Sequence, residues 1–82
     1  MAWFALDVGG GWREIRESPK KPVAKTYTIN VGGTQHTMTN FIGGTTRGVV
    51  KRTYLRQVTG APLVGKVSKL PPAKVKDLLT KL

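Results

Sequence analysis

The clearest pattern along the chain runs from Val23 to Ile42. Val23, Tyr27, Ile29 and Val31 fall at odd positions, Gly32-Gly33 interrupts, and His36, Met38 and Ile42 return at even positions. A period of two on either side of a two-residue glycine loop predicts a β-hairpin, because glycine supplies the positive φ that such a turn requires. With Val31 opposite Thr34, the register sets Ile29 against His36, Tyr27 against Met38 and Val23 against Ile42. One face is then largely apolar, with Lys25 opposite Asn40 as its exception. The other face pairs Thr28 with Thr37 and Thr26 with Thr39, a β-branched polar surface.

Gly43-Gly44 ends the hairpin, and residues 45–59 carry Val49, Val50, Thr53, Tyr54, Leu55 and Val58. Their β-branched content favours a third strand, while Val50, Tyr54 and Val58 recur at helical spacing, so 46–58 fits a strand and a helix alike. Gly60-Ala61-Pro62 turns the chain, and Leu63 to Leu70 reads as a fourth strand pairing back on the third. Pro71-Pro72 stops it, and Pro72 suits the first position of a helix, where its missing N–H does no harm. Val75, Leu78, Leu79 and Leu82 then lie at i, i+3, i+4 and i+7, one apolar stripe with Lys74, Lys76 and Lys81 off it. A helix this short is not stable alone, so the stripe must dock on this chain's sheet or on a neighbouring subunit.

Upstream, Ala2-Trp3-Phe4-Ala5-Leu6 is apolar and Gly9-Gly10-Gly11 follows. The pair reads as an arm on a glycine hinge, or as a segment whose Trp3 and Phe4 fold back onto the domain's own core, since exposed large aromatics are costly. Trp12 to Glu17 alternates too briefly to assign, and the two prolines of Ser18 to Pro22 favour an extended connection. The expected organisation is an N-terminal arm over 1–11, a β domain over 12–70 and an amphipathic helix over 71–82. The fold class is mainly β (α+β), a small antiparallel sheet or half barrel of about four strands covered by the C-terminal helix.

Size and composition narrow the functions open to it. An 82-residue chain builds one modest core, too small for most enzyme folds. Without cysteine it has no disulfide framework, thiolate zinc site or iron–sulfur ligation. No apolar stretch approaches the roughly 18 residues that span a bilayer. The first apolar run is too short for a signal sequence, and the expectation is a soluble protein made in the cytoplasm.

Charge changes the picture most. Lys and Arg number 14 against 4 acidic residues, a net charge of +10, with a pI near 10.6. Residues 1–17 hold two arginines and three carboxylates, so the excess lies in residues 18–82, whose sole acidic residue is Asp77. Arg47, Lys51, Arg52 and Arg56 surround Tyr54, and Lys66 and Lys69 come beside them if the fourth strand pairs with the third. On a strand Arg52, Tyr54 and Arg56 share one face and Arg47 and Lys51 the other, so the cluster is split. Such a face binds phosphates, with Tyr54 stacking on a base; the same charges also fit solvated sheet edges or an acidic protein surface.

His36 is the sole histidine, and Asp7, Glu14, Glu17 and Asp77 are all remote from it in sequence. Acid–base or metal chemistry needs partners, so a structural role opposite Ile29 is expected. The glycine pairs lack the Gly-Lys-Ser/Thr ending of a phosphate loop and read as turns or hinges. No catalytic, cofactor-binding or metal-binding residue is assigned.

Together these features point to a non-catalytic, small, basic structural or adaptor subunit of a large assembly, with a virus or bacteriophage particle as the setting that suits the composition. Trp3, Phe4, Leu6, Leu78, Leu79 and Leu82 are the expected anchors on other protein subunits. Arg47, Lys51, Arg52, Tyr54, Arg56, Lys66 and Lys69 are the expected contacts to an anionic partner. The alternative is a small nucleic-acid-binding protein that holds DNA or RNA on a basic, Tyr-containing sheet face. Neither reading involves a cofactor, a membrane or a small-molecule substrate.

Overall fold

The apolar run at the start of the chain is not an arm. In the computed structural model, which describes residues 1–82, Ala2–Gly9 forms strand β1 and lies inside a four-stranded antiparallel sheet. Phe4, Ala5 and Leu6 are consecutive and all buried, which happens when an interior strand is covered on both faces; such a strand shows an unbroken apolar run rather than alternation. Gly9, Gly10 and Gly11, with φ of 89°, 64° and 82°, form a tight turn, not a hinge, into β2 (Trp12–Ser18). The pairing sets Trp3 against Glu17, Ala5 against Ile15 and Asp7 against Arg13.

The sheet order is β5-β2-β1-β6, where β5 is Thr45–Lys51 and β6 is Val67–Leu70. Arg13 faces Val50 and Ile15 faces Gly48 across β2 and β5. Arg47 is an extra residue between the Ile15–Gly48 and Arg16–Thr46 pairs. The expected fourth strand exists as β6 but pairs with β1, Trp3 against Leu70 and Ala5 against Ser68, not with the third. Helix α1 (Arg52–Thr59) intervenes and returns the chain to the far edge of the sheet. The sheet is open, with no closed barrel.

Residues 45–59 thus use both of their patterns, strand to Lys51 and helix from Arg52. Gly60 ends α1 in the left-handed conformation and donates its N–H to the Arg56 carbonyl at 2.8 Å. Helix α2 spans Pro72–Leu79 with proline at its first turn, as the sequence predicts. The helices cover the front of the sheet, where Ala5, Ile15, Val50, Leu55, Leu63, Leu70, Val75 and Leu78 form the core and Trp3, Tyr54, Val58 and Leu79 pack against it. Burying a large aliphatic side chain contributes about 1.5–3 kcal/mol. The α2 stripe therefore docks on its own chain. A Cβ on Gly48 would lie 2.7 Å from Leu82 Cδ1, so the bare glycine leaves the notch that seats this last leucine.

The hairpin is β3 (Val23–Val31) and β4 (Thr34–Ile42), with every pairing in the expected register from Val31–Thr34 to Val23–Ile42. It forms a separate two-stranded sheet inserted between β2 and β5, which pair directly at its root, Glu17 against Thr45. Gly44 makes that junction possible: its φ is +79°, and a Cβ there would overlap the Glu17 carbonyl oxygen. The projecting hairpin accounts for the 46 × 25 × 20 Å outline. No helix is long and apolar enough to cross a membrane.

Candidate functional site

The hairpin leaves its apolar face in solvent. Val23 is 57% exposed, Tyr27 44%, Val31 58% and Ile42 52%, and Ile29 and Met38 lie open between them. On the opposite face, Thr39 and Phe41 near the root are half-buried. That face meets the body at the root, while Tyr27, Met38 and Ile42 of the apolar face border the cleft beside it. Arg16 clamps the root, donating from Nη1 to the carbonyls of Phe41 and Gly43, each at 3.1 Å. The Nε and Nη2 of Arg16 donate to Glu14 Oε1 at 3.2 and 2.7 Å, and the Thr46 hydroxyl donates to the same oxygen. Across the cleft, Lys66 Nζ donates to Thr39 Oγ1 at 3.4 Å.

Two clefts flank this root. The larger, about 980 Å³, lies between hairpin and sheet, with Asp7, Glu14, Arg16, Lys25, Tyr27 and Lys66 among its lining residues. The smaller, about 500 Å³, runs between the root and the start of β6, lined by Lys21, Pro22, Val23, Val64, Lys66 and Val67 among others. Lys66 belongs to both. The carboxylates of the larger cleft are engaged in structure: Asp7 Oδ1 accepts the Gly9 N–H at 2.9 Å, and Glu14 holds Arg16 and Thr46. His36 sits opposite Ile29 in register, exposed, and no group of three or more His, Asp or Glu side chains gathers anywhere in the molecule.

Ion pairing is uneven. Asp7 stands 4.0 Å from Arg13, Glu14 2.7 Å from Arg16 and Glu17 2.7 Å from Arg47. Of fourteen basic side chains, the three arginines in these pairs leave eleven without an acidic partner, against the single unpaired side-chain carboxylate of Asp77. Arg13 is itself unusual, 1% exposed with Nε and Nη1 lacking any acceptor. Its Nη2 donates to the Gly65 carbonyl at 3.1 Å. Burial lowers its pKa from the ordinary arginine value, Asp7 opposes that shift, and the nearby Arg52 adds to it.

The structure redistributes the residues singled out from sequence. Trp3, Phe4, Leu6, Leu78 and Leu79 belong to the packed interior, so they are not free partner anchors; Leu82, half exposed, rests in the Gly48 notch. Lys51 precedes α1 with its ammonium 5.8 Å from the Trp12 ring centre, and Arg52 and Arg56 stand one helical turn apart on α1. Tyr54 packs against the core, which removes it as an open stacking platform. Lys66 and Lys69 lie at the β6 edge, with β1 and β2 between them and Arg47 on β5, so they do not come beside the basic residues around Tyr54. Sequence reasoning missed Lys21 and Lys25 as neighbours of Lys66. Their only signal was the acid-free run around the hairpin, and which strand they meet depends on topology. No protein-family model, curated protein or solved structure matches the chain.

Proposed function

We propose that the chain is a non-catalytic structural or adaptor subunit of a larger assembly, and that the β3–β4 hairpin is the element it presents to a neighbouring protein. The observation that carries this reading is the open apolar face of Tyr27, Ile29, Val31 and Met38. A two-stranded hairpin is at best marginally stable in water and gains from a third layer. Contiguous exposed apolar surface on a small domain marks an interaction site. The hairpin's outer strand edges add unpaired backbone groups that a neighbouring strand can complete.

The test is a Tyr27→Ser/Ile29→Ser/Met38→Ser variant, compared with the wild-type chain in extracts of its native source by velocity sedimentation. The wild type is expected to travel with a complex far larger than itself and the folded variant to travel alone. Wild-type chain sedimenting as a free monomer, or a variant that still travels with the complex, overturns the reading. A second reading, nucleic-acid binding, is favoured by the eleven unpaired cations.

A further inference from the structure

We infer that the back of the molecule, where the hairpin root meets β6, is a phosphate-binding trough for a nucleic-acid strand, lined by Lys21, Lys25 and Lys66 and extended along β6 by Lys69. This goes beyond the hairpin's protein contact and rests on lysines rather than on its apolar side chains, although Tyr27 and Met38 also border the larger cleft. Lys21 and Lys66 line the smaller cleft, Lys25 and Lys66 the larger, and Lys66 joins the two into one path. Lys69 lies outside both clefts, but on β6 it pairs with Phe4 of β1 and so shares the back face with Val67, two residues before it, which lines the smaller cleft. All four lysines are exposed and none takes part in an ion pair.

Three observations select this surface and this partner. First, the carboxylates in the larger cleft, Asp7 and Glu14, are matched by Arg13 and Arg16, and the chain has no other acidic residue between Glu17 and Asp77. The field in the trough is therefore positive, and concave low-dielectric walls focus it. Second, the remaining cations of the helical layer, Lys51, Arg52, Arg56, Lys74, Lys76 and Lys81, line neither cleft; Asp77 lies among the lysines of α2. Third, the unpaired cations of the trough are all lysine. Lysine is depleted at protein–protein contacts, where arginine and aromatic residues dominate, whereas lysine serves phosphates as a point charge. Pro22, Val23, Val64 and Val67 give the smaller cleft an apolar wall suited to sugar, with no base-reading set, so the contact is sequence-independent.

The experiment is fluorescence anisotropy of a labelled DNA oligonucleotide titrated with the full chain from about 50 to 200 mM salt, the range over which phosphate contacts lose most of their affinity. Two variants are compared, Lys21→Gln/Lys25→Gln/Lys66→Gln/Lys69→Gln and, for the helical layer, Arg52→Gln/Arg56→Gln/Lys74→Gln/Lys76→Gln, with circular dichroism confirming that each is folded. The trough variant is expected to lose at least about tenfold in affinity at low salt and to flatten the log–log salt slope by about 3, at roughly 0.7–0.9 per phosphate contact. The helical-layer variant is expected to lose clearly less. Equal losses in the two variants, no binding by the wild type at low salt, or displacement of the oligonucleotide by polyglutamate at matched charge overturns the inference. An apolar-face variant confined to Ile29→Ser/Val31→Ser, two exposed residues that line neither cleft, keeps wild-type DNA affinity if the inference holds, so this inference and the protein-docking reading fail separately.

Discussion

A guanidinium buried among apolar side chains is costly unless each of its N–H groups finds an acceptor. Arg13 meets that requirement poorly. One nitrogen reaches the Gly65 carbonyl, Asp7 lies beyond hydrogen-bond distance, and Nε and Nη1 have no acceptor. The aliphatic stem still fills space between β2 and the loop before β6, which is work that methionine can do without the charge. Arg13→Met is therefore expected to leave stability unchanged or to raise it by up to about 2 kcal/mol, measured by urea denaturation. A loss of more than about 1 kcal/mol would show that the guanidinium is a net stabiliser through contacts other than these.

At the scale of elements, the hairpin and the body behave as separate units. Because β2 and β5 already pair at Glu17–Thr45, the hairpin can be removed without cutting a body strand. Replacing residues 24–41 with a short glycine-containing turn is expected to leave the body folded but to lower its unfolding free energy by about 1–3 kcal/mol. The excised strands are mostly exposed, while the half-buried Thr39 and Phe41 are withdrawn from the side of β1 that buries Phe4 and Leu6. Thermal and urea melts of the excised chain check this, and a collapse of the melt would mean that the root clamp of Arg16 on Phe41 holds the sheet together. Removing Met1 to Leu6, by contrast, deletes an interior strand and unfolds the body. The same division explains what was legible beforehand. Strict alternation around Gly32-Gly33 specified the hairpin and its whole register, because one slip would exchange its two faces. The interior strand β1 was hidden, because burial on both sides erases alternation and leaves an apolar run next to glycines that resembles an arm. In 46–58, β-branched residues and helical spacing were both real signals, and only packing locates the switch at Lys51–Arg52. Of the trough residues, Lys66 and Lys69 stood out in sequence, but their neighbours did not, since pairing of β6 with β1 is a property of the whole topology.

For the molecule as a whole, the decisive quantity is the mismatch between eleven unpaired cations and one unpaired side-chain carboxylate. A net charge of +10 on 82 residues works against the compact state through self-repulsion. Screening shortens the range of that repulsion from about 10 Å at 0.1 M salt to about 3 Å at 1 M. The melting temperature is accordingly expected to rise as sodium chloride increases from low to moderate concentration, by scanning calorimetry; a fall would mean that the three arginine–carboxylate pairs outweigh the repulsion. Folding speed depends on the hairpin in a different way. Glu17 and Thr45 are far apart along the chain, and a floppy connection of that length would make their meeting slow. A hairpin closes within microseconds from purely local contacts, and once zipped it holds its two ends side by side. The ribbon that projects from the finished protein thus acts as a splint during folding, turning the β2–β5 encounter from a distant search into a neighbouring step.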